Sequence, residues 1–369
     1  MRLSELGEQG ALERLNDILY TTTDLLETSP DLLEIEREER QPASGLHRIS
    51  RSLARGVRLG PGHDAAVVTP PAGYDLVLTC DGQTAGVHFD LEIIGPEDAG
   101  RRAALAALSD LAPFGATPLW GLLSLSVPPE LEIELLERFY RGLLRATDDM
   151  DLPFQRGDWG KFVFVGGDLV STPGPLSLDV TVVGRRPSTW ATGGRDGARV
   201  GDTVYLSGPT GQAAAGLWHL QHPDIDIAGS EKLRKAFLTP RIELQLGVNL
   251  WRDGRLTSAA DTSDSLGEQL HHLAAASAVG VLLEEAALEL PEPLIAAAAA
   301  MELSPLELAL GGGEDFRLLV TGPAGMERAD FQLRPVGVVV EAAAGVRVQG
   351  LDGVRREPPP PLFQHYDRP

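Results

Sequence analysis

Short apolar runs of strand length alternate with longer amphipathic stretches on both sides of a glycine- and arginine-rich segment at residues 185–202. YDLVLTCD (74–81), PLWGLLSLSVP (118–128) and KFVFVGGD (161–168) precede that segment, and TVYLSG and FRLLVTG follow it. Strands and helices mixed in this way favour α+β or α/β domains. The chain has 369 residues, which is too long for one ordinary core, so we predict two domains.

The composition along the chain suggests where the domains divide. The first 55 residues start with charged and apolar residues at helical spacing and continue into a polar stretch, EIEREERQPASG. We predict an extension and helix over 1–55, an N-terminal domain over 56–186 and a C-terminal domain over 187–369. TAGVHFDL (84–91) is expected to form a second extended run.

The charge of the chain excludes some classes of partner. There are 53 acidic and 32 basic residues, and the formal charge of −21 repels nucleic acid and anionic membranes. No apolar stretch is long enough to cross a bilayer, and the N-terminus lacks a signal-peptide core. The single cysteine, Cys80, excludes an internal disulfide and fits a reducing compartment. We therefore expect a cytoplasmic protein.

Acidic residues recur at the ends of predicted elements, beside glycine or small residues. They are Asp64, Asp81, Asp110, Asp168, Asp261, Asp264 and the pair Glu314–Asp315. Taken by itself, Asp64 fits a turn residue. Asp264 could cap its helix, and Glu314–Asp315 could lie in a turn. Asp110 lies near a helix C-terminus, where a carboxylate opposes the helix dipole, so we expect a cation beside it. Carboxylates that converge on one cleft suit Mg²⁺ and a polyphosphate.

Other catalytic motifs are missing from the sequence. There is no GxxxxGK[ST] phosphate loop and no GxSxG nucleophile turn. GPTGQAAAG follows a predicted strand but lacks the GxGxxG spacing of a dinucleotide loop. We interpret it as a turn that packs a helix.

Seven segments, taken in order, resemble the thiamine-monophosphate kinase family of the aminoimidazole-ribonucleotide-synthetase-like (PurM-like) superfamily. They are HDAAVV, LTCDGQTAGVHF, LSDLAPFGATPL, VGGD, RDGARVGD, DTSDSL and GGGEDF. The resemblance implies an α+β, two-domain PurM-like fold. Its N-terminal mixed α/β domain would bind ATP and metal and dimerise through its sheet, and its C-terminal domain would be α/β. It also implies a homodimer that uses ATP to phosphorylate thiamine monophosphate to thiamine diphosphate.

The resemblance also implies a role for each matching residue. Several Mg²⁺ ions would be held by Asp64, Thr79, Asp81, Asp110, Asp168, Asp261 and Asp264. ATP would contact Gly167, Asp168, Arg195 and Ser263, and thiamine monophosphate would contact His88, Glu314 and Phe363. No dedicated catalytic base is expected, because transfer between two anions needs charge neutralisation and in-line positioning.

Some positions depart from the family pattern, which keeps two alternatives open. They include His63, Cys80, Ala85, Ala107 and Ser265. Such changes would either retune the choice of substrate or weaken activity. One alternative is another ATP-using synthetase of the superfamily that acts on a different small metabolite. The other is a catalytically weak homologue that binds nucleotide or thiamine phosphate.

Overall fold

The computed structural model describes residues 1–24, 56–59, 65–148, 162–327 and 331–363. By its contacts the chain forms two units. Unit 1 comprises residues 1–107 and 118–185, and unit 2 comprises residues 108–117 and 186–369. Both contain strands and helices, which confirms the predicted α+β class.

Unit 1 is built on a four-stranded sheet. Its helices are α1 (Leu3–Asp24), α2 (Pro96–Ser109, whose last two residues belong to unit 2) and α3 (Ile133–Asp148), and its strands are β1 (Val57–Leu59), β2 (Val67–Val68), β3 (Tyr74–Thr84), β4 (Thr117–Val127), β5 (Val163–Ser171) and β6 (Ser177–Pro187). The order in the sheet is β3-β6-β4-β5, so β3 and β5 are its two edges. The strands β1 and β2 form a separate antiparallel pair.

Two glycines allow α2 and α3 to approach closely. A Cβ at Gly100 would collide with the carbonyl oxygen of Phe139, and one at Gly142 would collide with that of Glu97. Pro96 occupies the first position of α2, and Glu97 and Asp98 follow in its first turn, as expected for a helix N-terminus. The apolar face of α3 is fully buried at Leu136, Phe139 and Leu143.

The predicted second extended run at residues 84–91 is wrong. Strand β3 continues to Thr84, and the chain then turns. Gly86 adopts a φ of 78°, and the Thr84 amide donates to Nδ1 of His88 at 3.0 Å. These local contacts replace a strand ladder, which alternating apolar residues alone did not reveal.

Unit 2 contains a seven-stranded sheet in the order β13-β12-β9-β11-β7-β10-β8. Its strands are β7 (Thr203–Leu206), β8 (Ser258–Asp261), β9 (Gly280–Glu284), β10 (Leu318–Gly322), β11 (Arg334–Val340), β12 (Val346–Gln349) and β13 (Arg355–Arg356). Its helices are α4 (Gln212–Gln221), α5 (Ser230–Leu238), α6 (Leu244–Asp253), α7 (Leu266–Ser277), α8 (Glu292–Ala300) and α9 (Pro305–Gly311).

Two apolar clusters lie among the described residues of unit 2. Leu270 and Leu273 of α7 pack against sheet residues that include Val281 and Leu319. A second cluster joins α4, α5, α8 and α9 through alanine and leucine side chains. No single described helix is long and apolar enough to cross a membrane, and α8 and α9 meet that test only as a pair bent by 99°.

The segment 108–117 belongs to unit 2 because it packs on α6. Trp251 Nε1 donates to the carbonyl oxygen of Pro113 at 2.6 Å. A Cβ at Gly247 would collide with the carbonyl oxygen of Ala112, so the two backbones lie in close contact. This packing fixes the residues immediately after the end of α2.

Candidate active site

Among the described acids of the predicted metal set, Asp261 is the most deeply buried. It ends strand β8 and is 3% exposed. Its Oδ2 accepts a hydrogen bond of 2.6 Å from Ser109 Oγ, and its Oδ1 accepts one of 3.3 Å from Ser263 Oγ. A buried carboxylate is costly unless it is hydrogen-bonded or paired with a cation. Both bonds to Asp261 come from neutral hydroxyls.

The electrostatics of Asp261 indicate a place for a cation. Burial and, second, the negative charge of Asp110 raise the pKa of Asp261 to about 6, against the opposing effects of Ser109, Arg195 and Ser263. Asp110 directly follows the last residue of α2 and is half-buried. Two neighbouring carboxylates that disfavour each other's charge are both stabilised by a divalent cation.

A chain of side-chain hydrogen bonds joins Arg195 to Asp264. Arg195 Nε donates to Gln269 Oε1 at 3.2 Å, and Gln269 Nε2 donates to Asp264 Oδ2 at 3.1 Å. The backbone at Arg195 is also held, because Ser277 Oγ donates to its carbonyl oxygen at 2.6 Å. Arg195 and Asp264 are both exposed, so their charged ends face solvent while Gln269 is buried.

The sequence reasoning missed Ser109 and Gln269, which hold predicted site residues in place. Ser109 directly precedes Asp110 in LSD, and that adjacency was the available signal. Gln269 lies five residues after Asp264 on α7, and only the folded helix brings the two together. The suggested cap at Asp264 is wrong, because Ser265 is the N-cap of α7 and accepts from the Glu268 amide at 3.2 Å.

Glu314 and Asp315 are adjacent in sequence but make different contacts. The Glu314 amide donates to the carbonyl oxygen of Ser263 at 2.8 Å, which places the residue beside the segment that carries the predicted ligands Asp261 and Asp264. Its φ of 58° lies in the left-handed region, an uncommon conformation for a residue other than glycine and one that is concentrated at functional sites. Asp315 is buried and accepts from the amides of Gly211 and Ala213, and burial raises its pKa to about 6. Asp315 therefore anchors the N-terminus of α4.

The GPTGQAAAG segment forms the predicted helix-packing turn. Gly211 is the N-cap of α4 with a φ of 86°, and a Cβ there would lie 2.5 Å from the carbonyl oxygen of Leu308. This contact leaves no room for a side chain between α4 and α9. The segment therefore links the Asp315 anchor to the helical layer of unit 2.

Phe363 follows the proline-rich tail, and this tail contacts Gly267 and Gly311. The Leu362 amide donates to the carbonyl oxygen of Gly311 at 2.9 Å, and a Cβ at Gly311 would lie 2.9 Å from the carbonyl oxygen of Pro360. Gly267 meets the tail at Pro358, where a Cβ would lie 3.4 Å from Pro358 Cβ. The side chain of Phe363 is 45% exposed. The tail is thus fixed beside the segment that leads into GGGEDF.

In unit 1, Thr79 and Asp81 share one face of the edge strand β3. Alternate residues of a strand point to the same side of the sheet. Thr79 and Asp81 are half-buried, whereas Cys80, which lies between them, is exposed, and so is Leu78. Gln83 lies on that same face and donates to Asp81 Oδ2 at 3.4 Å. The predicted pair therefore projects from the less exposed face.

Gly167 and Asp168 lie on β5, the opposite edge of the same sheet. Strand β5 runs parallel to β4, with Gly167 opposite Leu123 and Asp168 opposite Ser124. A Cβ at Gly167 would collide with the carbonyl oxygen of Leu123, so glycine is required there. Asp168 is exposed. With β6 and β4 between them, the strands that carry Asp81 and Asp168 are three strand spacings apart across the sheet, about 14 Å in that direction.

His88 lies in the turn after β3. The Thr84 amide donates to its Nδ1 at 3.0 Å, so Nδ1 is the acceptor and the proton of the neutral imidazole lies on Nε2. This contact fixes the ring orientation. His88 is half-buried.

The positions that depart from the family pattern have varied surroundings. Ala107 is buried in α2, Ser265 caps α7, and exposed Cys80 accepts from Thr181 Oγ1 at 3.4 Å. Ala85 forms an isolated bridge with Phe89. His63 and the predicted ligand Asp64 lie outside the described residues.

The donor groups of unit 2 fit Mg²⁺. Asp110 and Asp261 provide carboxylate oxygens, and Mg²⁺ typically uses one or two protein carboxylates together with substrate phosphates and water. Within the described ranges, no group of three or more His, Cys, Asp or Glu side chains has the geometry of a metal site formed by protein alone. This arrangement fits an ion that is shared with a phosphate-bearing ligand.

Comparison with known proteins identifies the family. Residues 62–186 match the N-terminal domain of AIR synthase related proteins. A thiamine-monophosphate kinase of Aquifex aeolicus is 33% identical over 290 residues, covering 76% of this chain and 88% of that protein. The chain belongs to the thiamine-monophosphate kinase family. A family member from Escherichia coli K12 is 34% identical over 278 residues, covering 74% of this chain and 79% of its own.

A solved structure extends the likeness over nearly the whole chain. The structure described as AaThiL complexed with AMPPCP and TMP has a TM-score of 0.68 and 28% identity, and the match covers 97% of each chain. That protein was therefore solved with AMPPCP and TMP together. The two-domain PurM-like fold expected from the resemblance is confirmed.

Proposed function

We propose that this protein transfers the γ-phosphoryl group of ATP to thiamine monophosphate, forming thiamine diphosphate and ADP. The family membership carries the proposal, and the grouping of Asp110, Asp261 and Ser263 in unit 2 supports it. An oxygen of the acceptor phosphate attacks the γ-phosphorus as the bond to the bridging β,γ oxygen breaks, and that electron pair leaves with ADP. The attacking oxygen is already anionic, so no proton needs to be removed.

Each predicted residue has a proposed role. Mg²⁺ would neutralise phosphate charge at Asp110, Asp261 and Asp264 in unit 2 and at Thr79, Asp81 and Asp168 in unit 1, and Asp64 stays a predicted ligand. Arg195 and Ser263 would hold ATP phosphates, and Gly167 would let the nucleotide approach the backbone of β5. His88, Glu314 and Phe363 would hold thiamine monophosphate. The orientation of Arg195 by Gln269 suits a guanidinium that binds phosphate oxygens.

We propose that the protein is a homodimer that pairs through the sheet of unit 1. Apolar side chains are exposed on this sheet at Leu76, Leu78, Leu122 and Val170. Several large apolar side chains exposed on one sheet are typical of an interaction surface. The position of exposed Asp168 on the same side as Leu122 and Val170 follows from the parallel pairing of β4 and β5.

Leu78→Asp tests the dimer. Leu78 is 66% exposed, so the change should cost little stability in the monomer but place a charge in the interface. We expect wild-type protein to sediment as a dimer and the variant as a monomer at the same micromolar concentration. Leu351→Asp is the control, because Leu351 is 76% exposed and belongs to unit 2. Equal sedimentation of wild type and Leu78→Asp would contradict the proposed surface.

Glu314→Ala tests the acceptor site. Because Glu314 is proposed to contact only thiamine monophosphate, its loss should weaken binding of that ligand about tenfold, the effect of removing one hydrogen bond to a charged group. Affinity for a non-hydrolysable ATP analogue should change less than twofold. Calorimetry with each ligand in the presence of Mg²⁺ measures both. Equal losses for the two ligands would remove Glu314 from this role.

We propose that the protein is cytoplasmic because of the state of Cys80. The thiol is exposed and free in the described structure, and exposed thiols persist in reducing compartments. The substrates of the proposed reaction, ATP and a phosphorylated vitamin, fit the same compartment.

A further inference from the structure

A cavity of about 570 Å³ opens in unit 2, and we call it the arginine cavity. Its lining includes the loop Ser207–Pro209 and the side chains of Arg241, Glu289, Arg317 and Arg334. It lies where β7 ends and where β10 and β11 begin. Strand β8 ends at Asp261 on the same side of the sheet. None of the described lining residues belongs to the candidate active site. Its volume suits a small molecule.

Arg317 presents an unused donor at this cavity. One of its terminal nitrogens, Nη1, donates to Glu243 Oε1 at 2.9 Å, and Glu243 is 4% exposed. Nε is buried and has no hydrogen-bond partner among the described residues. A Cβ at Gly208 would lie 3.1 Å from this Nε, a closer contact than most, so glycine keeps a side chain away from the donor. Buried polar groups are normally satisfied, and an orphan of this kind calls for a ligand or water.

The other two arginines are held loosely. Nη2 of Arg241 lies 3.7 Å from Glu243 Oε2, and Nη2 of Arg334 lies 3.5 Å from Glu289 Oε2. Their side chains are 69% and 51% exposed. Exposed ion pairs contribute little to stability, so a ligand can replace these partners at small cost.

The charge of the arginine cavity opposes that of the whole chain. Three guanidinium groups and one carboxylate line it, and the buried carboxylate of Glu243 supports two of the arginines, so its net charge is positive. The chain as a whole carries a formal charge of −21. A positive concave surface in such a chain concentrates anions locally.

We propose that the arginine cavity binds a small ligand through a phosphate or diphosphate group. The planar guanidinium fork matches phosphate oxygens in pairs, and three forks around one cavity provide more donors than a carboxylate ligand can use. This site is separate from the proposed kinase chemistry. It requires no divalent cation, because its own side chains supply the positive charge.

Calorimetry with inorganic pyrophosphate in EDTA tests the proposal. Without a divalent cation the carboxylates of the candidate active site repel pyrophosphate, so saturable binding reports on the arginine cavity. We expect one equivalent to bind wild-type protein, and the exposed pair Arg241→Gln/Arg334→Gln to weaken binding at least tenfold. The control, Arg138→Gln/Arg145→Gln, removes the same charge from arginines that are 58% and 57% exposed and ion-paired with Glu97 in unit 1. Its affinity should stay within twofold of wild type.

A second variant, Glu289→Gln, is expected to bind pyrophosphate more tightly and gives an independent test. Glu289→Gln removes the carboxylate that pairs with Arg334 and repels an anion, so pyrophosphate should bind about two- to fivefold more tightly. Stronger competition by ADP than by added pyrophosphate would support a nucleotide as the source of the phosphate, and the reverse order would support the free anion. Absence of saturable binding, equal losses in the two double variants, or weaker binding by Glu289→Gln would overturn the proposal. A failure of the kinase assay would leave these EDTA measurements unaffected.

Discussion

Asp261→Asn is expected to abolish phosphoryl transfer and at the same time to raise the melting temperature of the protein. Turnover should fall about 10³-fold or more, because the change removes a carboxylate that is proposed to hold Mg²⁺ against the reacting phosphates. Asparagine keeps the shape of the side chain and a carbonyl oxygen that can accept from Ser109 or Ser263. The amide nitrogen can donate to the hydroxyl oxygen of the other serine, so the main loss is the negative charge.

The stabilising effect follows from the raised pKa of Asp261. Because its pKa is about 6 in the folded protein against an ordinary value of 3.8, the folded state binds more protons than the unfolded state between pH 4 and 6. The contribution of Asp261 to stability therefore falls as pH rises through that window, and above it the ionised group costs roughly 1–3 kcal/mol. Removing the charge should raise the melting temperature by about 2–8 °C at pH 7.5 in EDTA.

Thermal unfolding and steady-state kinetics measure the two effects together. Asp264→Asn is the matched control, because Asp264 is exposed and its loss should not raise the melting temperature. An Asp261→Asn protein with near-normal turnover would show that the carboxylate is not needed for the reaction. An unchanged melting temperature would show that its charge is not a cost in the folded protein.

Gly167→Ala is expected to destabilise unit 1 and to remove activity. A methyl group at this position would collide with the carbonyl oxygen of Leu123 across the β4–β5 ladder. Strand β5 must then move away from β4, and it carries Asp168 with it. We expect a loss of about 2–4 kcal/mol in the free energy of unfolding, measured by urea titration.

Gly174→Ala separates this effect from a general cost of replacing glycine. The nearest atom to a Cβ at Gly174 is Thr172 Oγ1 at 3.4 Å, an ordinary contact, so stability should change by less than about 0.5 kcal/mol. Two variants of equal stability would mean that β5 tolerates a side chain at residue 167. The contact with the carbonyl oxygen of Leu123 would then not require glycine at this position.

Local patterns predict only part of the candidate site. The predicted strand ends at Asp81 and Asp168 are wrong, because β3 continues to Thr84 and β5 continues to Ser171. The sequence predicts Asp110 near the C-terminal end of an alanine-rich helix, and the structure confirms that position. It predicts Asp261 at the start of a helix, whereas the structure places Asp261 at the end of strand β8, before α7 begins at Leu266. The sequence also indicated two domains with mixed strands and helices. The exact domain limits 1–55, 56–186 and 187–369 stay predictions.

The remaining features depend on contacts between distant residues. The bond from Ser109 to Asp261 spans 152 positions, and segment 108–117 joins unit 2 only through its packing on Trp251 and Gly247. Sequence spacing carries no signal for either. The turn at Gly86 illustrates a second cause, because alternating apolar residues at 84–91 fit a strand until the Thr84–His88 contact is known. Asp64, with which the resemblance begins, lies outside the described residues, and its role stays a prediction.

Product analysis tests the proposed kinase activity most directly. The protein is incubated with ATP, Mg²⁺ and thiamine monophosphate, and nucleotides and thiamine species are separated by chromatography. We expect one thiamine diphosphate for each ADP, no product in EDTA, and little ADP when free thiamine replaces thiamine monophosphate. Formation of ADP with thiamine but not with its monophosphate, or formation of ADP without thiamine diphosphate, would contradict the assignment.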